Sequence, residues 1–309
     1  MTINAMKCTA AMLAALALTA CTLDDPEDSK SAGDNSRLSY ISIYGAKAVT
    51  YDYDSQGRLT KISSPLSDTE LNITYDPLTI EGIVYDEQYQ WDDDTDKETV
   101  IRYVSERSVL SNMEYNSTGY ITKCTMLDED YNYWSNSVNS DTYPAYFTYN
   151  SKNQLTEVRY DSPNNLDDRT TFNWDNNDNM ISWNDWGYGS EDASITYSDT
   201  ENSRGQWSLF WQCWGIEFQS GYFGVAPAHL LSSMTEDGNT VQLSYKLNAA
   251  GFIQSEKVYD EEDAFVSTYT YHYKNVTSSS SANNATDDSA AQAGAAQAKH
   301  KAQFMFKKK

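Results

Sequence analysis

The sequence predicts an all-β protein, a long antiparallel meander of hairpins forming a strongly curved sheet or closed barrel. Two observations carry this expectation: one hairpin motif recurs along the chain, and the composition suits a broad sheet better than a thick two-layer core. The first copy of the motif is Tyr51 to Ile62, YDYDSQGRLTKI. Asp54 can accept a hydrogen bond from the backbone two residues on and Gly57 can supply a positive φ, so Asp-x-x-Gly reads as a type I turn closed by a G1 bulge. Such a turn fixes register as well as direction. Met113 to Cys124, Phe147 to Val158, Phe172 to Trp183 and, more loosely, Tyr245 to Glu256 keep the same spacing. In two of them Asn153 and Asp178 stand in place of Gly57; both residue types tolerate the left-handed region, so the turn is expected to survive. With 24 Tyr, 8 Trp and 39% apolar residues, the aromatic side chains are expected to cover one packed and one wet face.

The chain divides by composition into 1–20, 21–36, 37–276 and 277–309. Lys7, the apolar run Ala10 to Leu18 and then Leu18-Thr19-Ala20-Cys21 resemble a bacterial lipoprotein signal with its lipobox. That run is shorter than the roughly 20 residues a membrane helix needs. The resemblance implies that Cys21 is lipidated and that the membrane is reached through this anchor, several acyl chains giving stable attachment. The acidic stretch Leu23 to Asp28 resembles a surface-export signal of Bacteroidetes lipoproteins and in any case reads as a solvated tether. Ser29 to Ser36 continues it as a small, polar spacer.

Within 37–276, Tyr40 to Tyr44 and Val49 to Tyr53 alternate at period two around Gly45, and Leu71 to Tyr75 and Thr79 to Tyr85 flank Asp76-Pro77. Glu87 to Trp91 and Thr99 to Val104 flank the acidic run Asp92 to Asp96. Neither that run nor the turn from Asp175 has the Gly and Glu of a calcium loop at the required positions, so both read as solvated hairpin loops. Asp128 to Asp141 reads as a polar and aromatic excursion, and Asp161 to Asp168 as a loop. The hairpin rhythm breaks between Gln206 and Leu231, where dense aromatics at three-to-four spacing predict one short helix or crossover. The last strand, Phe265 to Tyr273, puts Tyr269, Tyr271 and Tyr273 on one face and His272 on the other, with an edge-like position expected for it. After Val276 the low-complexity tail begins.

The candidate ligand platforms are Trp183, Trp186 and Tyr188, which cluster around Gly187 and Gly189, and Trp207, Trp211 and Trp214 in the broken segment. Aromatics there serve either as rim packing or as stacking surfaces for sugar rings. A net charge of −23 argues against nucleic acid, which needs a basic footprint. Three scattered His residues give no zinc pattern, no nucleophile elbow, P-loop or dinucleotide motif is present, and abundant carboxylates alone do not argue for a hydrolase. Neither a metal nor a cofactor is expected, and the chain reads as non-enzymatic. Cys124 and Cys213 are read either as a disulfide or as two buried thiols.

The hairpin copies resemble degenerate tyrosine-aspartate (RHS-type) repeats. Residues 37–275, with Gly221, Gly224, Pro227 and Leu230 forming a Gly-x-x-Gly-x-x-Pro-x-x-Leu link, resemble uncharacterised Bacteroidetes lipoproteins with a porin-like fold. That resemblance implies a porin-like barrel and no assigned activity. Outward faces rich in Asp, Lys and Asn argue for a soluble rather than a lipid-facing barrel. The expected function is that of an outer-membrane, surface-exposed lipoprotein acting as a non-catalytic binding module for glycan or peptide. The alternative is a structural or assembly protein that binds another outer-membrane protein.

Overall fold

Runs of alternating apolar and polar residues become strands throughout, because alternation places one row of side chains on each face of the pleat. The computed structural model describes residues 36–64, 68–92, 97–163, 165–185, 191–206, 222–236, 239–260 and 265–275. In chain order the strands are β1 (Ser36–Ile43), β2 (Ala46–Tyr53), β3 (Leu59–Ser64), β4 (Thr69–Thr74), β5 (Thr79–Asp92), β6 (Lys97–Tyr115), β7 (Ile121–Asn132) and β8 (Ser137–Tyr149). They continue as β9 (Leu155–Ser162), β10 (Asn165–Trp174), β11 (Met180–Asp185), β12 (Glu191–Glu201), β13 (His229–Glu236), β14 (Asn239–Leu247), β15 (Ile253–Tyr259) and β16 (Phe265–Asn275). Each pairs antiparallel with the next, and β16 pairs with β1, so the meander closes into a barrel.

Closure answers the open question of sheet or barrel, and it corrects the edge-like position of His272. That ring stacks on Tyr40 at 4.0 Å and its Nε2 lies 2.9 Å from Ser42 Oγ, both on β1. The core lies inside the barrel. Ile41, Leu59, Ile62, Leu71, Ile80 and Ile121 face it and are wholly buried, each worth about 1.5–3 kcal/mol of apolar burial. Tyr269, Tyr271 and Tyr273 face or pack against the same core, as the alternation predicts. The outer surface carries ion pairs such as Lys61–Glu70 (2.9 Å), Arg159–Asp161 (3.4 Å) and Arg107–Glu81 (2.7 Å). This arrangement, apolar within and charged without, is the reverse of a lipid-facing barrel.

The two ends of the barrel differ. At one end, the turn end, lie the motif turns. Asp54 Oδ1 accepts from the N–H groups of Gln56 (2.8 Å) and Arg58 (2.9 Å), and Gly57 N–H donates to the Asp54 carbonyl (3.0 Å) at φ 78°. Asn116, Asn150, Asp175 and Asn248 repeat this bonding. Asn153 and Asp178 both take φ 62°, filling the glycine position as expected. A further copy, Asn202 to Gly205, escapes the sequence pattern because Glu201 rather than an aromatic precedes it.

The aromatic before each turn has a specific task. The ladder between β3 and β4 stops at Lys61↔Asn72, two residues short of Leu59, where the neighbouring strand turns away. Tyr75 Oη donates to the Leu59 carbonyl there at 2.9 Å. The same bond runs from Tyr53 to Leu38 (2.8 Å), Tyr149 to Ile121 (2.7 Å), Trp174 Nε1 to Leu155 (2.8 Å), Tyr197 to Met180 (2.7 Å) and Tyr273 to Ile253 (2.7 Å). Each acceptor sits two residues past the last ladder pair. A buried carbonyl that has lost its strand partner is thus satisfied by a side chain. Three copies depart from the scheme: Leu247 carries no donor, the Tyr115 hydroxyl donates to Met113 Sδ at 3.8 Å, and Glu201 stands before Asn202, its strand donating from Tyr197 instead.

Residues 222–228 form an irregular strap across this end. Tyr222 accepts from Ile121 N–H (2.9 Å), Val225 donates to Asn153 (3.2 Å), Ala228 donates to Asp178 (3.0 Å), and Asn202 donates to Ala228 (2.8 Å). The preceding chain leaves at Gln206, which bonds Ile253 N–H and Tyr273 Oη at 2.8 and 3.0 Å, half-way round the ring from Ile121. The expected helix or crossover falls chiefly on residues 207–221, outside the described ones. The remainder is irregular or, from His229, belongs to β13, one element earlier than the expected resumption at Val241.

Gly224, at φ 102°, is where the strap presses closest; a Cβ there would lie 2.8 Å from the Asn153 backbone oxygen. Gly45, at φ 81°, has nothing within 4 Å of that position. Gly224→Ala is therefore expected to cost about 3 kcal/mol and Gly45→Ala about 1 kcal/mol, compared by denaturant unfolding. Tyr149→Phe, which removes the hydroxyl that donates to the Ile121 carbonyl at 2.7 Å and reaches the Tyr222 carbonyl of the strap at 3.5 Å, is expected to cost about 1 kcal/mol.

Candidate functional site

At the end opposite the motif turns, the loop end, four strands outlast their neighbours. The β4–β5 ladder ends at Thr69↔Val84, whereas β5 and β6 stay paired as far as Asp92↔Lys97. The β8–β9 ladder begins at Ala145↔Tyr160, whereas β8 pairs with β7 back to Ser137↔Asn132. The β6–β7 ladder ends at Glu106↔Asp130. Beyond it the two hairpins are joined by the Tyr103 and Tyr133 rings at 5.0 Å and by Gln90 Nε2 donating to Tyr133 Oη at 2.6 Å. Several sequence expectations are corrected here. Thr79 to Tyr85 and Glu87 to Trp91 are one strand with a bulge between Val84 and Tyr85, Asp128 to Asp141 is a hairpin rather than a loop excursion, and within the Asp161 to Asp168 stretch β9 runs on to Ser162 and β10 begins at Asn165, paired with it.

The face that carries the core changes character along these strands. Leu110 and Met126 are opposite each other in the core. Two and four residues further toward the loop end come the pairs Ser108↔Asp128 and Glu106↔Asp130, and Asp141 lies across from Asp128 on β8. Ser108 Oγ donates to Asp128 Oδ1 at 2.6 Å, and the buried Tyr143 hydroxyl donates to Asp128 Oδ2. Burial, with the Asp128 carboxylate next, pushes the Tyr143 phenol well above its ordinary range. Burial likewise raises the Glu106 carboxyl to about 7, with Asp130, Asp128 and Asp86 adding repulsion in that order. Among the described side chains, Arg102 and Arg107 of this sheet stand on the other face. Arg107 bridges Glu81 (2.7 Å) and Glu129 (2.8 Å), and Arg102 stacks on Tyr85 at 3.6 Å beside Asp68. The inner wall at the loop end is therefore acidic and tyrosine-bearing. Among the described residues no group of three or more His, Cys, Asp or Glu is arranged to hold a metal ion.

The sequence-predicted platforms divide. Trp183 does not lie on a loop: β11 runs on to Asp185, and the ring faces the core across from Phe172 and Ala193 at 5% exposure. Its packing role there is set by strand parity, which the neighbouring Gly187 and Gly189 obscure. Cys21, Trp186, Tyr188, Trp207, Trp211 and Trp214 lie outside the described residues, as does Cys213. Cys124 is a free, buried thiol whose pKa burial pushes up to about 12, which leaves it unreactive. Asp175 spends Oδ1 on two backbone N–H groups of its own turn. Glu106, Asp128 and Asp130 were missed as site residues, although the acidic alternation Asp128–Asp130 at strand spacing was the available signal.

No protein-family model matches the chain, and no curated protein matches it. Similar solved structures include a porin-like protein from Bacteroides uniformis, 16% identical with a TM-score of 0.44, covering 77% of this chain and 96% of that one. A porin-like protein from Bacteroides vulgatus is 10% identical with a TM-score of 0.34, covering 77% and 98%. The TcdB2-TccC3 structure is 11% identical with a TM-score of 0.24, covering 81% of this chain and 15% of that one.

Glu106 gives the site a pH signature. Its folded pKa of about 7 lies above the ordinary 4.5, so between those values the folded chain holds a proton that the unfolded chain has released. The associated stability is complete below the lower value and is lost as pH rises through the upper one. Glu106→Gln is expected to leave stability unchanged near pH 4 and to raise it by about 1–2 kcal/mol above about pH 7, discounted for the partial exposure of the group. Denaturant melts of both proteins across that range measure the difference.

Proposed function

We propose that the chain is a non-catalytic binding module of the bacterial envelope, lipid-anchored at Cys21, which holds a glycan or peptide on the inner wall of β5–β8. The observation that carries this reading is the difference between the two ends. At the turn end, side chains and strap satisfy the backbone; at the loop end, the core face runs on into carboxylates and tyrosines with strands projecting beyond their neighbours. Concave walls with a few convergent polar groups at a barrel mouth are the usual setting for ligands. Orientation supports the anchor. The chain enters the barrel at Ser36, paired with Asn275 at the turn end, so a tether from Cys21 meets that end and the loop end lies on the far side.

The acidic inner wall disfavours acidic polysaccharides and suits neutral glycans, which stack on tyrosine, or basic peptides. The alternative, docking of another outer-membrane protein, draws on the exposed apolar side chains of the loop end, Trp134 among them at 78% exposure. Degenerate tyrosine-aspartate repeats would then be the scaffold in either case.

Two measurements test this. Cys21→Ala is expected to release the protein from the membrane fraction of cells; retention there would remove the anchor. Calorimetry of the lipid-free chain against neutral polysaccharides and basic peptides is expected to show binding that Asp130→Asn weakens by about tenfold. Hydrolysis of a polysaccharide, abolished by Glu106→Gln, would overturn the non-catalytic reading.

A further inference from the structure

Closing the barrel removes sheet edges everywhere except where a strand outruns its neighbour. Among the described residues two such edges flank the loop-end extension: β5 beyond Val84, and β8 between Ser137 and Pro144. They are treated differently. Along β5, Asp86 Oδ1 accepts from the N–H of Glu87 at 2.7 Å, and Gln88 Nε2 donates to the Tyr89 carbonyl at 3.1 Å. Its own side chains thus occupy backbone groups that an added strand would need. On β8, Ser137 to Ser140 stand exposed and extended, and proline, which has no N–H to offer, enters only at Pro144.

The two sides of that β8 segment differ as well. On the core face Asp141 lies across from Asp128, with Asp130 and Glu106 in the next rows. On the outer face Val138, 50% exposed, pairs across from Tyr131, and Trp134 stands in the adjoining turn. The occupant follows from this. A second copy of a chain carrying −23 would bring more carboxylates to the edge and be repelled. A cationic strand would be drawn to it.

We propose that the edge of β8 from Ser137 to Tyr143 accepts an extended, cationic segment of a partner protein as an added strand. Its Lys or Arg side chains lie on the core face toward Asp141 and Asp128, and alternate apolar side chains lie on the outer face toward Val138. Main-chain hydrogen bonds hold the segment, and the alternating side chains select it. This rests on the binding-module reading and names the ligand class for it.

The test uses the lipid-free full chain and a labelled peptide of about ten residues alternating Lys and Val, a length matched to a strand. Fluorescence anisotropy is expected to show binding, with the Glu-for-Lys peptide at least about tenfold weaker. Methylating alternate backbone amides of the Lys peptide is expected to cost about tenfold in one register and little in the other, because only one set of donors faces the edge. Asp141→Asn is expected to weaken binding severalfold, whereas Asp52→Asn, the same charge change on an exposed turn-end strand, is not. Bound peptide is expected to slow amide exchange within residues 137–143. Equal binding of the Lys and Glu peptides, indifference to methylation in both registers, or exchange protection elsewhere would overturn the proposal. If the peptides fail while a neutral glycan binds the inner wall, this inference falls and the broader binding reading stands.

Discussion

The structure depends on how a buried carbonyl is satisfied where two strands part. A closed barrel built from tight turns forces each strand away from one neighbour before it ends, and the first residue after a turn is left with an acceptor facing no ladder partner. Here that residue is apolar and wholly or almost wholly buried: Leu59, Ile121, Leu155, Met180 and Ile253. Water cannot reach its carbonyl readily, and an unmet acceptor there would cost about 1–3 kcal/mol. The aromatic before the following turn supplies a donor on a long rigid arm in most copies, so one residue both fills the core rim and closes the hydrogen-bond account. Six such bonds fasten successive hairpins and fix the rim on which the strap from Tyr222 to Ala228 lies.

This constraint explains why the motif contains an aromatic at one position and an Asx three residues before Gly, Asn or Asp. The Asx side chain binds the backbone of its own turn, while the aromatic binds the backbone of the turn before it. The two parts act on different hairpins. A change in one copy is therefore felt at two places in the ring, and Leu247 or Tyr115, where the donor is absent or directed elsewhere, interrupts the chain of bonds without opening the barrel.

Turn chemistry was the most legible part of the sequence, because Asp54, Asn116 or Asn150 with a residue tolerant of positive φ three positions on is a local signal. The tyrosines were legible as recurring but not as stitches, since the carbonyl each one meets belongs to a distant copy. Strand lengths were less so. β5 through β8 carry polar residues on both faces beyond the barrel body, and a strand without alternation looks like a loop. Trp183 was placed on a loop for the converse reason: nearby Trp186, Tyr188 and glycines suggested a loop cluster, yet its own parity puts it on a strand and in the core, in a packing role. Asn202 to Gly205 was overlooked because its preceding residue is Glu201, so the pattern matched on the aromatic missed a turn defined by its Asx.

Acidic residues in this chain fall into two physical populations that composition cannot separate. Asp54 and Asp175 are committed to backbone N–H groups within their own turns, and Glu81 and Glu129 are paired with Arg107 on the outer face. Asp128, Asp130 and Glu106 lie on the continuation of the core face, where burial and mutual repulsion raise the Glu106 pKa instead of a cation lowering it. A scaffold needing only stability gains nothing from carboxylates on that face, since replacing them with apolar or amide side chains would remove the repulsion. Their position makes physical sense if something positively charged or rich in hydrogen-bond donors occupies the loop end, which is also where β8 runs on past its ladder with β9. The repeat thus consumes its aromatic and acidic residues in holding the barrel shut, and the residues left over for recognition are those beyond the reach of the repeat.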